Sequence, residues 1–136
     1  MSKHPAGKTE EKHRQDLARK ARKMIASSMD IMDEDEFSLI TYYCDFYVLF
    51  TFSEIHPLIM ISLVRKVSAV GSDTVNICNK MNLTSIHGAH AINQDSTYYV
   101  SRSSHWLDAE LQKEHFFEIL NRCVDEASRC YQLLSK

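Results

Sequence analysis

Seven histidines and four cysteines are the residues of this chain best suited to chemistry, and their spacing decides what they could do. His87-Gly88-Ala89-His90 has an HxxH spacing, with His105 further along. On a helix such a pair can grip one metal ion, but on a strand residues three apart point to opposite faces. Gly88 and the polar neighbours argue against a helix there, and neither HExxH nor CxxC is present. No metal site and no cofactor is therefore expected. Ser103-Ser104-His105-Trp106 sets hydroxyls beside an imidazole, the ingredients of nucleophilic catalysis. Neighbours on an extended chain diverge, however, and there is no GxSxG elbow. Three glycines (Gly7, Gly71 and Gly88) leave no loop to cradle a phosphate. Asp33-Glu34-Asp35-Glu36 lacks the ordered glycine and distal glutamate of a calcium loop and reads as a solvated acidic connection. Cys44, Cys78, Cys123 and Cys130 each lie in an apolar segment and read as reduced, buried thiols. No catalytic residue is assigned, and the chain is read as a non-enzyme.

Recognition chemistry is better represented. Tyr43, Tyr47 and Leu49 occupy odd positions in a segment whose even positions are apolar, so they are expected on the opposite face of a strand. If no helix covers them they form an exposed apolar patch, which marks an interface. Trp106, at the junction between a strand and the last helix, reads first as a packing anchor and second as a recognition residue. A different surface lies at the start of the chain. Residues 1–23 carry eight Lys/Arg against three acids, a net +5 that leaves −7 for the remainder of a chain whose formal charge is −2. Lys8, Lys12, Arg19, Lys20 and Lys23 could meet the phosphates of a nucleic acid. The plainer reading is a solvated helix face, and nucleic acid ranks behind a polypeptide partner.

The elements that must position these residues follow from periodicity. Residues 1–9 read as a loose leader. Thr9 to Met29 then reads as a helix with Leu17, Ala21, Met24 and Ile25 on one face and Thr9 as its cap. Phe37 to Ser53 alternates strictly, with Ile40, Tyr42, Cys44, Phe46, Val48, Phe50 and Phe52 apolar. It is either one bent strand or two strands turning near Cys44-Asp45. The unbroken parity and the absence of Gly or Asn at that point favour the bent strand. Leu58 to Val67 is apolar on both faces and reads as a central strand. A short helix over about Thr74 to Asn82, a strand over Leu83 to Ile92, a turn at residues 93–96 and a strand over Thr97 to Ser101 follow. The last helix, about Asp108 to Leu134, carries Phe116, Leu120, Cys123, Ala127, Cys130 and Leu134 in steps of four and three. Its stripe is wide enough to cover a sheet and leave apolar surface for a partner.

The order is α-β-β(-β)-α-β-β-α: an α+β fold in which an antiparallel sheet packs against long N- and C-terminal helices. Length places residues 10–136 in one domain. No apolar run reaches the ~18 residues needed to cross a bilayer, and the first residues lack the apolar stretch of a signal peptide. A cytoplasmic location with no membrane contact is expected.

Val75-Asn76-Ile77-Cys78-Asn79, followed by Leu83 and a strand of small residues (Ser85, Gly88, Ala89, Ala91), resembles the Asn-x-x-Asn helix and following hairpin of YbjN-type proteins. That family shares the fold of type III secretion chaperones and also closes with a long amphipathic helix. The element order agrees over residues 10–134, the motif over about 75–134. Cys78 stands where an aromatic residue commonly precedes the second Asn. The resemblance implies an α+β domain without catalytic residues that dimerises and binds polypeptide segments. Some relatives are described as sensory transduction regulators, which specifies no chemistry. It assigns Asn76 and Asn79 a structural role, their amides satisfying backbone groups where the helix passes into the next strand.

Overall fold

The computed structural model describes residues 5–68, 72–93 and 98–134, so the leader residues 1–4 and the turn at 94–97 lie outside it. Its order is α1 (Pro5–Ala26), β1 (Asp33–Glu34), β2 (Ser38–Tyr43), β3 (Phe46–Phe52), β4 (Leu58–Lys66), α2 (Ser72–Thr84), β5 (Ala89–Asn93), β6 (Tyr98–Trp106) and α3 (Lys113–Leu134). The six strands form one antiparallel sheet in the order β1-β2-β3-β4-β6-β5. This is the expected α+β fold with the optional early strand present. β4 holds the central position its two apolar faces require.

Several boundaries differ from expectation: β5 starts at Ala89 and not at Leu83, β6 runs on to Trp106 and not to Ser101, and three further differences have a local reason. Helix α1 starts at Pro5 and not at Thr9, because proline's fixed φ suits a first helical turn. Residues 5–9 are thus helix where a leader was expected. Helix α3 starts at Lys113, not Asp108. Asp108 caps a separate turn, accepting the Glu110 N–H at 2.8 Å, before the helix proper begins. The acidic connection contains a short strand. Arg22 grips it through the Glu34 carboxylate (2.8 Å) and the carbonyls of Asp35 and Glu36, while lying over the Phe52 ring.

The largest correction concerns residues 37–53. They are two strands, not one bent strand, joined by a two-residue turn in which Cys44 (φ 52°) and Asp45 (φ 73°) both take left-handed conformations. Positive φ at both central residues is the type I′ geometry that matches strand twist. It was hidden because neither residue is Gly or Asn. Cys44 is consequently exposed at the hairpin tip, not buried, whereas Cys78, Cys123 and Cys130 are buried as expected.

A two-residue turn also reverses parity. Leu39 pairs with Phe50, Thr41 with Val48 and Tyr43 with Phe46, so odd residues of β2 share a face with even residues of β3. That face carries the core: Leu39, Phe46, Val48, Phe50, Phe52, Ile59, Ile61, Leu63 and Tyr99. All three helices lie against it. Helix α3 brings Phe116 to Phe50 and Tyr131 to Phe46 and Tyr99, and buries Leu120, Cys123, Val124, Ala127 and Cys130. Helix α1 contributes Leu17, Ala21 and Ile25.

Candidate interaction surface

The other face of the sheet bears no helix among the described residues. Register runs Tyr42–Tyr47–Val64–Val100–Ala91 in one line across it, and Ile40–Leu49–Ser62–Arg102–Ala89 in the next. Leu58 beside Trp106 closes the far end. Tyr42 is 54% exposed, Tyr47 48% and Trp106 67%, and Ile40, Leu49, Met60, Val64 and Val100 are half-buried. The Tyr42 and Tyr47 rings meet edge to face at 5.2 Å. With Tyr98, Asp45, Arg65 and Lys66 they line a shallow cleft of about 360 Å³.

The predicted surface residues divide accordingly. Tyr47 and Leu49 lie on the open face, as read from their parity. Tyr43 does not: the reversed parity turns it to the covered face, where its hydroxyl donates to Asn121 on α3 and burial raises its pKa. Tyr42 and Ile40 take its place. Trp106 is not a packing anchor; it stands in solvent against the His56 ring, with centroids 5.9 Å apart. The stripe of α3 is largely consumed by the sheet, with Leu133 its most exposed large apolar residue.

Both edges of the sheet are obstructed, which makes the open face the more available surface. β1 is two acidic residues long. At β5, the Asn82 side chain accepts the His90 N–H (2.6 Å) and donates to the His90 carbonyl (2.8 Å). It thereby fills the outward hydrogen-bonding positions of His90, in the first half of that strand. This is the amide-to-backbone role expected of Asn76 and Asn79, which are exposed on α2. The latch is the second Asn of a later Asn-x-x-Asn spacing, Asn79 to Asn82, so the signal was present in the sequence one helical turn further on.

Behind that edge lies a buried polar network that periodicity could not reveal. Glu126, nearly wholly buried on α3, accepts the N–H groups of Ile86, His87 and Gly88 at 3.0, 3.1 and 3.1 Å and meets His90 Nε2 at 3.0 Å. Burial works against its charge, but those four hydrogen bonds outweigh it and hold the carboxyl below its usual range. His90 Nδ1 lies 2.6 Å from the Tyr99 hydroxyl. Burial opposes the imidazolium as well, yet the neighbouring Cys130 sulfur and the Glu126 carboxylate prevail and raise its pKa. His87 sits in the loop outside this core, so the two histidines of the HxxH spacing do not converge. No group of three or more His, Cys, Asp or Glu side chains suited to a metal occurs among the described residues.

Elsewhere, Ser103 and His105, two apart on one face of β6, do meet at 2.8 Å, contrary to the divergence expected of that segment. Ser103 reaches Cys123 as well, at 3.5 Å. Burial lowers the His105 pKa and raises that of Cys123, so the thiol stays protonated. The basic residues of α1 gather along a shallow groove of about 520 Å³ lined by Arg19, Lys20, Lys23 and Lys113, with Asp16 among them. Arg19 (2.8 Å) and Lys12 (3.9 Å) both reach Asp16, and Lys20 donates to the Ala109 carbonyl. The side chain of Lys8 lies outside the described residues.

A sheet with three helices on one face and an aromatic second face left open defines a fold class shared with proteins of known structure. YbjN from E. coli, a proposed transcription regulator, aligns over 82% of this chain and 86% of its own, with TM-score 0.62 and 13% identity. A chain of the HopA1–SchA chaperone–effector complex aligns over 96% and 99%, with TM-score 0.57 and 7% identity. The Yersinia pestis type III secretion chaperone SycH, solved with a stable fragment of YscM2, aligns over 86% and 98%, with TM-score 0.55 and 15% identity. The chain therefore has the YbjN-type, chaperone-like fold. No family model and no curated protein matches it. No described helix is long and apolar enough to cross a membrane.

Proposed function

We propose that this protein is a non-enzymatic, cytoplasmic interaction module, working as a homodimer, that binds a polypeptide segment on the open face of its sheet. The observation that carries the reading is that face itself: a line of tyrosines and aliphatic side chains, with Trp106 at its far end, uncovered, between two obstructed edges. Exposed contiguous apolar surface of this kind marks binding sites. Tyr and Trp supply large contact area at small entropic loss, which suits them to the centre of an interface. Two of the structural neighbours were solved bound to polypeptides, which supports the same class of partner here. With the edges obstructed, strand addition gives way to a segment laid across the face.

The test is capture from the native cell with the intact chain and with a Tyr42→Ser, Tyr47→Ser, Trp106→Ser triple variant, together with light scattering of both. The wild type is expected to retain a specific polypeptide and to scatter as twice 15.7 kDa. The variant should fold normally and release the polypeptide. Equal capture by both would overturn the assignment of the face, and a strict monomer at high concentration would remove the dimer.

A second reading, nucleic-acid binding through the α1 groove, is favoured by the convergence of Arg19, Lys20 and Lys23 with Lys113. It ranks second because Asp16 lies among them. Heparin retention that weakens steeply with salt would promote it.

A further inference from the structure

The open face differs in charge from the protein that carries it. Residues 24–136 sum to −7, yet strands β2 to β6 contain no Asp or Glu. Their Lys and Arg residues are Arg65, Lys66 and Arg102. Arg65 is committed to the covered side, where its guanidinium lies 4.1 Å from the centre of the Tyr131 ring. Lys66 and Arg102 have the opposite parity, so they rise from the open face, and both are exposed. Neither has a salt-bridge partner among the described residues.

Their placement frames an apolar strip. Register sets Lys66 beside Tyr98 on one flank of the Val64–Val100–Ala91 line, and Arg102 between Ser62 and Ala89 on the other. Tyr98 and Arg102 are four residues apart on β6, so the two cations stand about 13 Å apart along the strand. Across the same line the side chains shrink from Tyr42 and Tyr47 through Val64 and Val100 to Ala91. An aromatic wall therefore borders a low floor. A sheet face of this kind is completed by an amphipathic helix, as the covered face already is.

We propose that the open face receives an acidic amphipathic helix from its partner. The apolar stripe of that helix sits on Val64, Val100 and Ala91 against the tyrosines, and Asp or Glu on both flanks of the stripe meet Lys66 and Arg102. The inference rests on the open face being the binding surface and adds the chemistry of its occupant. A helix with uncharged flanks would take water from the two cations without replacing it, and one with basic flanks would be repelled.

Fluorescence anisotropy of dye-labelled synthetic helical peptides on the intact chain tests it. One peptide carries a leucine stripe flanked on both sides by glutamates, and its sisters carry glutamine or lysine at the flanks. The glutamate peptide should bind at least about tenfold tighter than the glutamine peptide and weaken as salt rises, and the lysine peptide should bind least. Lys66→Glu combined with Arg102→Glu, two exposed positions, should reverse the order of the glutamate and lysine peptides. Equal affinity for the glutamate and glutamine peptides, both released by the Tyr42→Ser, Tyr47→Ser, Trp106→Ser variant, would overturn the inference and leave the binding face standing. Undiminished binding of the glutamate peptide to that triple variant would overturn the inference and the binding face together. Absence of binding by any peptide would overturn the proposal, as would release by Lys20→Glu with Lys23→Glu on α1 but not by the Lys66, Arg102 variant.

Discussion

The two faces of the sheet are made by the same alternating strands and finished in opposite ways. The covered face is packed by three helices and contains a fully engaged polar network, in which Glu126 answers three backbone N–H groups and one imidazole. The open face has comparable apolar content but no packing partner, with Tyr42, Tyr47 and Trp106 about half exposed or more. The difference teaches where each kind of constraint resides. On the covered side a side chain is defined by what it touches, so its loss is expected to be felt as stability. On the open side the same residue types touch little within the chain, so their loss is expected to be felt as binding.

The sharpest break of that contrast is Glu126→Ala. It strands a buried imidazole and three loop N–H groups, and should cost about 3–5 kcal/mol in urea unfolding. A loss below about 1 kcal/mol would show that the network is not structural. Its pH dependence has two limbs. The Glu126 pKa is lowered in the folded state, so its contribution is complete above the ordinary 4.5 and disappears as pH falls through the folded value. The His90 pKa is raised, so its contribution is complete below 6.5 and disappears as pH rises through the folded value. The melting temperature should therefore peak between these limbs, and Glu126→Gln should flatten the acid one.

Gly88→Ala comes next. An added Cβ would sit 2.9 Å from Ser101 Oγ and 3.2 Å from the Arg102 carbonyl, in the strand beside it. About 1–3 kcal/mol of destabilisation is expected, and a neutral result would mean that β5 has room to move. Smaller still is Asn82→Ala, which frees the two edge groups of His90 to water and should cost about 1 kcal/mol. Asn79→Ala should leave the melting curve within about 0.5 kcal/mol. Reversal of that order would return the latch to the resembling motif. Tyr47→Ser, too, should lose under about 0.5 kcal/mol despite removal of a large aromatic. If it unfolds the protein, the open face is structural and the comparison fails.

How much of this could be read beforehand varies with the range of the cause. The element order and the core stripe of α3 were legible, because burial imposes a period on every residue of an amphipathic element. The Cys44-Asp45 turn was not. Its left-handed conformations are usually signalled by Gly or Asn, and a two-residue turn between alternating strands leaves the apolar parity apparently unbroken. From that single miss followed the misplacement of Tyr43 and the omission of Tyr42. Trp106 was found, but as an anchor, since its type does not tell exposed from buried.

The sequence by itself determined the α+β class, the position of the long helices, the central place of β4 and the separation of a basic first helix from an acidic remainder. These depend on periodicity and composition, which act within a few residues of one another. Only the tertiary structure decided which strand face the helices cover, that Asn82 and not Asn76 or Asn79 closes the β5 edge, and that Glu126 gathers His90 and the backbone of Ile86, His87 and Gly88. Those facts join residues up to 40 positions apart, as Ile86 and Glu126 are. A hydrogen bond across such a gap leaves no mark on either residue's neighbours, so only the folded chain can show it.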